Sequence, residues 1–279
     1  MAFFSESLAL PENAFTILRD LIMERTGIYY EESKKDILAD KLSNRVLEHG
    51  FSSFIDYYYM LKYDNDSQDE WNVVFDLIAV GETYFWREYD QIDALVSHFI
   101  PRYAEDNPGR TLRIWCAACS TGEEPLSILI ALDRAGWMHK IRIELTATDA
   151  SLQALKKAQK GLYRERSFRS LPAELRNRYF TRSGEEWKIS PSIHRIVKWR
   201  KMNLMNDEEF NFMSDQDVIF CRNVFIYFRE EAIRKTAENF FMRLRSPGFL
   251  FLGSAESLLR IKTSFELTEI GETFVYMKA

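Results

Sequence analysis

From residue 112 onward, short apolar runs alternate with helix-forming stretches, and this alternation restricts the possible folds more than any other feature of the 279-residue chain. Residues 112–118 form a short apolar run interrupted only by Arg113. The turn Ser120-Thr121-Gly122 follows, and then a helical stretch over about 124–135 that ends at Gly136. A second run, 141–148, ends at Asp149, and 151–160 read as a helix stopped by Gly161. A third run, 217–221, precedes a helical stretch over 230–244, and Ser246-Pro247-Gly248 leads into a fourth at 249–252. Strands separated by helices run parallel, because each helix crosses back over the sheet in the right-handed sense. Near the end, Gly271-Glu272 joins β-rich runs at 265–270 and 273–277, which is hairpin spacing. The expected class is α/β: a mostly parallel, Rossmann-like sheet with a C-terminal antiparallel hairpin.

The first 70 residues differ in texture and predict a small all-α domain over 1–70. Phe15, Leu18, Leu21 and Ile22 recur at helical spacing behind Pro11 and Glu12, with Gly27 as a C-terminal stop. Ser33 and Asp36 fit a capping box ahead of Ile37, Leu38, Leu42 and Val46. Ser52 is placed to cap a third helix, whose Phe54, Tyr57, Tyr58 and Tyr59 are expected in the core or against the next domain. Lys34, Lys35, Lys41 and Arg45 suit a solvated face better than a binding one. The polar run 64–70 marks the boundary, leaving 71–279 as the second domain.

Hydrophobic residues make up 46% of the chain and charged residues 28%, the balance of a soluble globular protein. No apolar run approaches the ~18 residues of a membrane helix, so no membrane insertion is expected. Residues 1–6 lack the flank of a signal peptide, and three cysteines are too few for a disulfide framework, which together point to the cytoplasm. Cys116 and Cys119 have no second Cys/His pair, and His49, His98, His139 and His194 are scattered, so no metal is expected. The net charge of −5 argues against nucleic acid. That total conceals an asymmetry: residues 151–202 hold 14 Lys+Arg against 4 Asp+Glu, a local +10, which leaves −15 for the rest.

In an open α/β sheet, ligands bind at the carboxyl ends of the strands. Cys119-Ser120-Thr121-Gly122-Glu123-Glu124 is a strand-to-helix turn with one glycine and two acids at the helix start. A dinucleotide pyrophosphate calls for three spaced glycines and no acid there. The two glutamates suit an ammonium or sulfonium cation instead. Asp149 stands 27 residues after Gly122, placed to accept hydrogen bonds from ribose hydroxyls. Cys221-Arg222-Asn223-Val224 puts polar residues at the end of a buried strand. Together these describe a pocket for a nucleoside with a positive tail. S-adenosylmethionine fits, while spacing alone leaves a nicotinamide or an unrelated ligand open.

Four blocks carry a family resemblance. Residues 112–125, LRIWCAACSTGEEP, resemble the signature of the CheR family, the chemotaxis-receptor glutamate methyltransferases. So do 82–88 (ETYFWRE), 217–228 (DVIFCRNVFIYF) and 253–257 (GSAES), in order and over a span from about Phe15 to the end of the chain. The resemblance implies a helical N-terminal domain, a methyltransferase domain dependent on S-adenosylmethionine over 71–279, and a small β subdomain at about 178–200. It implies cofactor contacts at Thr83, Arg87, Glu124 with Glu123 beside it, Asp149, Asn203, Leu204, Asn223 and Val224. Tyr227 matches an aromatic near the reacting methyl. Gly81 stands where the family commonly has Asn, so a side-chain contact to the cofactor is missing or supplied by backbone; Ala118 for glycine and Leu126 for tyrosine are milder departures.

A glutamate carboxyl has a pKa near ~4.3, so the implied nucleophile is already ionised at neutral pH and needs no base. Catalytic roles therefore fall to Arg87, as a clamp on a cofactor or substrate carboxylate, and to Tyr227, as a positioning group. The implied partners are the glutamate-rich cytoplasmic methylation helices of chemoreceptors, which the basic segment would steer. The loop at 183–185 is short with one glycine, so no binding of a receptor's tether pentapeptide is expected. Two rival readings are the same chemistry in a non-chemotaxis signalling array and a catalytically weak regulatory module that binds S-adenosylmethionine.

Overall fold

The computed structural model describes residues 8–64 and 67–279; the signal-peptide reading of residues 1–6, and Asn65 and Asp66 of the polar run, lie outside it. Helices α1 (Glu12–Thr26), α2 (Lys35–Glu48), α3 (Phe54–Tyr63) and α4 (Ser67–Ile78) turn their apolar faces into one cluster. Phe15, Leu18 and Ile22 meet Leu38, Leu42 and Tyr57 there, and α4 adds Trp71, Val74 and Ile78. The helical unit thus reaches past the boundary expected at residue 70. Residues 67–70 of the polar run are the acidic first turn of a further helix, where Asp69 and Glu70 face the positive end of its dipole.

Glu70 is 5% exposed. Arg45 forks its carboxylate, while Tyr57 donates to it and His49 lies within hydrogen-bond distance. Arg45 is therefore a structural partner rather than part of a solvated face. The capping box at Ser33 and Asp36 does not form: a 3-10 turn, Glu32–Lys34, leads into α2, whose cap makes no side-chain bond. Ser53, one residue later than expected, caps α3 by accepting the Asp56 N–H. Phe54, Tyr57, Tyr58 and Leu61 form the buried stripe of α3 at helical spacing; Tyr59 falls off that stripe and is 54% exposed.

The rest of the chain builds the sheet. After α5 (Tyr89–Asp93) and α6 (Ile100–Asp106) come β1 (Leu112–Ala117), α7 (Glu123–Arg134), β2 (Ile143–Asp149), α8 (Leu152–Lys160) and β3 (Leu162–Tyr163). Then follow α9 (Ala173–Tyr179), β4 (Phe180–Ser183), β5 (Glu186–Ile189), α10 (Pro191–His194) and β6 (Val197–Lys201). The chain ends with β7 (Gln216–Cys221), α11 (Glu230–Arg243), β8 (Leu244–Leu252), β9 (Glu266–Ile270) and β10 (Thr273–Lys278). Seven strands lie in the order β6-β2-β1-β7-β8-β10-β9. The pairs run parallel except those of β10, which is antiparallel to both β8 and β9.

Period-two alternation gives the central strands two buried faces. Ile114, Cys116, Val218 and Phe220 join one core cluster; Trp115, Ala117, Ile219 and Cys221 join the cluster on the opposite face. A second sheet, β3-β5-β4, forms the small β subdomain. Its extent differs from the expected 178–200: it gains β3 and loses β6 to the main sheet. In β6, Val197 and Trp199 face the core while Lys198 and Arg200 stay exposed, the pattern of an edge strand buried on one side.

The strand order reverses at β1, with β2 on one side and β7 on the other. That reversal opens the carboxyl ends of these three strands to a ligand.

Candidate active site

A cleft of about 1040 Å³ lies at those strand ends. Thr83, Arg87, Glu123, Glu124, Asp149, Asn203, Leu204, Asn223, Val224 and Tyr227 all line it, so folding brings together residues spread over 145 positions. The turn after β1 is held in left-handed backbone at Ala118 (φ 58°), Ser120 (φ 50°) and Gly122 (φ 94°). Only glycine fits the last position, because a Cβ there would lie 2.7 Å from the Trp199 ring. Trp86, Glu88 and Asn223, also near the cleft, have positive φ as well. Such strain gathers where surrounding structure enforces a functional geometry.

The adjacent glutamates at the start of α7 face different surroundings. Glu123 is 2% exposed, and its two oxygens accept from Thr121 Oγ1 (2.6 Å) and Ser167 Oγ (3.0 Å). Burial pushes its carboxyl above the ordinary carboxylate range, against the pull of those hydroxyls. Glu124 instead lies 3.4 Å from Arg222 Nε, and burial raises its pKa while Arg222 pulls it down. For Arg222 the sequence carries one signal, its polarity at the end of a buried strand. The Arg222 side chain is 2% exposed, and its Nη2 donates to the Arg87 carbonyl at 2.5 Å. Its Nε and Nη1 have no hydrogen-bond partner.

Glu88 completes this group. It accepts from Asn223 Nδ2 (3.1 Å) and the Ser254 N–H (2.9 Å). Burial pushes its carboxyl up, but Arg222 and those two donors outweigh it and hold the pKa below its ordinary value. On the other side of the turn, Asp149 accepts the N–H of Ser120 and of Ser151, each at 2.8 Å. Burial raises its pKa and these two bonds oppose the rise. Arg87 donates to the Glu82 carbonyl at 2.9 Å and stands 5.6 Å over the Tyr84 ring. The Asn203 side chain is already engaged: its Nδ2 donates to the Arg25 carbonyl at 2.8 Å, and its Oδ1 accepts from Met205 N–H at 3.0 Å.

The helical unit supplies one wall. Asp76 accepts from Ser151 Oγ (2.5 Å) and the Gln153 N–H (3.0 Å), and Lys41, which lines the cleft, donates to the Leu77 carbonyl. The Tyr29 N–H donates to the Tyr227 carbonyl at 2.9 Å, beside an antiparallel bridge between Ile28 and Phe228. Gly27 (φ 78°) makes room for this contact: a Cβ would meet the Phe228 ring at 2.5 Å. Lys157, Lys160, Arg164, Arg166 and Arg169 also line the cleft and are exposed.

The donor set suits S-adenosylmethionine. Arg222 Nε and Nη1 and the Ser120 hydroxyl are buried at the cleft without a hydrogen-bond partner, and polar groups of this kind call for a polar ligand. Glu124 and Arg87 offer opposite charges to an amino-acid zwitterion, and Asp149 retains lone pairs for ribose hydroxyls.

Comparison with known proteins identifies the family. Residues 81–274 match the CheR methyltransferase, SAM binding domain, and residues 13–79 match the CheR methyltransferase, all-alpha domain. The chain is 33% identical to chemotaxis protein methyltransferase 2 of Vibrio cholerae over 97% of its own length and 94% of the relative's. It is 31% identical to the chemotaxis protein methyltransferase of Salmonella typhimurium, covering 94% and 90%. The corresponding protein of Borreliella burgdorferi is 29% identical, covering 91% and 92%. With both domain models matched in order and a cofactor cleft at the strand ends, the chain belongs to the CheR family of methyltransferases, enzymes that use S-adenosylmethionine.

Proposed function

We propose that this protein transfers the methyl group of S-adenosylmethionine to glutamate side chains in the cytoplasmic methylation helices of chemoreceptors, and so sets their adaptation. The carrying observation is a single cleft whose floor holds Glu124, Arg222 and Asp149 and whose rim holds exposed cations. A glutamate-rich helical bundle complements that rim, and its electrostatic attraction favours encounter before contact.

When bound, the cofactor supplies an electrophilic methyl on a sulfonium. Glu124 accepts the cofactor's ammonium, with Arg222 holding the glutamate ionised against its burial. Arg87 takes the carboxylate of the cofactor or that of the substrate. Asp149, Asn203 and Leu204 hold the nucleoside, Thr83 with the Asn223–Val224 backbone closes the site, and Glu123 braces the turn through Thr121. Tyr227 orients the attacking carboxylate oxygen in line with the methyl and helps to exclude water. No group removes a proton, because the substrate carboxylate is ionised at neutral pH.

The β4–β5 turn has only Gly184 and Glu185 between its strands, which favours receptor recognition without a tether pentapeptide. Among the described residues no helix is long and apolar enough to cross a membrane. The test is transfer of radiolabelled methyl to receptor-bearing membranes, followed by base treatment. Label released as methanol supports glutamate esters. Tight binding of S-adenosylhomocysteine with no transfer would favour the regulatory module instead, a reading motivated by Gly81, around which a Cβ would meet nothing within 4 Å.

A further inference from the structure

Five backbone amides converge on one side chain behind the cleft. Glu256, in the fourth sequence block, accepts through Oε1 from the N–H of Val224 (2.7 Å), Phe225 (2.6 Å) and Ile226 (3.3 Å). Its Oε2 accepts from the N–H of Asn223 (2.8 Å) and Gly253 (2.6 Å). Four of these donors are consecutive, and they belong to the segment that follows β7 and carries Asn223, Val224 and Tyr227. Asn223 is left-handed (φ 60°), a conformation that persists in a non-glycine residue only when its surroundings enforce it. Gly253 leaves room for the arrangement: a Cβ there would lie 2.8 Å from both Asn223 Nδ2 and Glu256 Oε2.

We infer that Glu256 is the positioning residue of the reaction: its carboxylate sets the backbone of 223–226 and, through it, the cofactor contacts at Asn223 and Val224 and the aim of Tyr227. Bonds from N–H groups to an ionised acceptor are stronger than those between neutral groups, and concave sets of main-chain amides favour anions. Phe225 and Ile226 open a 3-10 turn, Phe225–Tyr227, whose first N–H groups have no acceptor within the turn, so the carboxylate caps them together with Asn223, Val224 and Gly253. The segment is thereby ordered before any ligand arrives, and binding costs less conformational entropy. The inference rests on assigning 223–227 to the cofactor site, and not on the identity of the methyl acceptor.

The test uses the full chain with Glu256→Gln and Glu256→Ala, read by amide hydrogen exchange and by titration with S-adenosylhomocysteine. Glutamine keeps the shape but turns an NH2 toward one set of amides. Glu256→Gln is therefore expected to speed exchange at either Asn223 and Gly253 or Val224 to Ile226, and to leave β1 and α1 to α4 unchanged. Glu256→Ala is expected to speed exchange over 223–226 and to weaken S-adenosylhomocysteine binding by about tenfold or more. Unchanged exchange and affinity in both variants, or a uniform rise in exchange across the chain, would overturn the inference. Should Glu256→Ala fail to fold, the pattern in Glu256→Gln decides. If the wild type binds S-adenosylhomocysteine but methylates no receptor, the proposed substrate fails while these measurements still judge Glu256.

Discussion

The two ends of the central strands both bury carboxylates, and they treat them in opposite ways. At the amino end, Asp217 is 3% exposed and accepts from the Arg113 N–H, the Tyr103 hydroxyl, Arg110 and Arg245. Every lone pair has a use, and the group ties β7 to β1, α6 and β8. At the carboxyl end, Glu124 and Glu88 share Arg222 as an ion-pair partner, and two of the guanidinium nitrogens, Nε and Nη1, make no hydrogen bond. Saturation marks structure and deficit marks a binding site, because a buried polar group left unmet costs stability unless a ligand completes it.

Asp217→Ala carries the largest expected effect. Removing a hub that satisfies two partly exposed arginines lowers the unfolding free energy by about 3 kcal/mol, measured by denaturant titration. Affinity for S-adenosylhomocysteine in the folded fraction stays within about twofold. Loss of affinity with intact stability would erase the contrast between the two ends.

Glu124→Gln is expected to behave conversely: stability holds or rises, and S-adenosylhomocysteine affinity falls by about 10- to 100-fold by calorimetry. The pH dependence sharpens this. Ligand binding uses ionised Glu124, whose pKa burial raises, so affinity is full above that raised pKa and falls as pH drops through it. The fall therefore begins at a higher pH than an ordinary glutamate would show, and Glu124→Gln flattens it. An unaltered pH profile in that variant would assign the ammonium contact elsewhere.

A smaller change is expected at the rim. Lys157→Glu with Lys160→Glu lowers kcat/KM toward receptor membranes by about 3- to 10-fold at low salt, and the loss fades as ionic strength rises. Cofactor affinity is unaffected, so a salt-independent loss would point to contact rather than steering. The smallest effect is a null one. A free tether peptide gives no heat on titration, and micromolar binding would refute the tether-independent reading.

How far these features could be read in advance followed from how locally they are encoded. The cores of β1 (114–117) and β7 (218–221) are continuous apolar runs because both faces are buried, so their placement needs no tertiary knowledge. Most of β6 is expected in the β subdomain and lies instead at the edge of the main sheet, because the alternation of Val197 and Trp199 with Lys198 and Arg200 marks a strand but not the sheet it joins. The polar run ending in Glu70 looked like a linker because its partners Arg45 and Tyr57 lie 25 and 13 residues away. The cleft residues were legible through family blocks, but the blocks could not show that Glu123 faces inward while Glu124 meets Arg222. Glu256 falls in the fourth family block, but nothing local shows its role, since four of its five donors come from residues about 30 positions earlier.

The bridge between Ile28 and Phe228, with the Tyr29 N–H on the Tyr227 carbonyl, bears on how the two parts could be exchanged between relatives. A chimera cut cleanly between helical unit and sheet would pair one protein's 27–30 loop with another's 225–229 segment. Phe228 would then need a glycine across from it, and the backbone behind Tyr227 would lose its donor wherever the loop differs. The heritable module is therefore not either domain alone but the pair of short segments that meet between them, and a working graft must carry both.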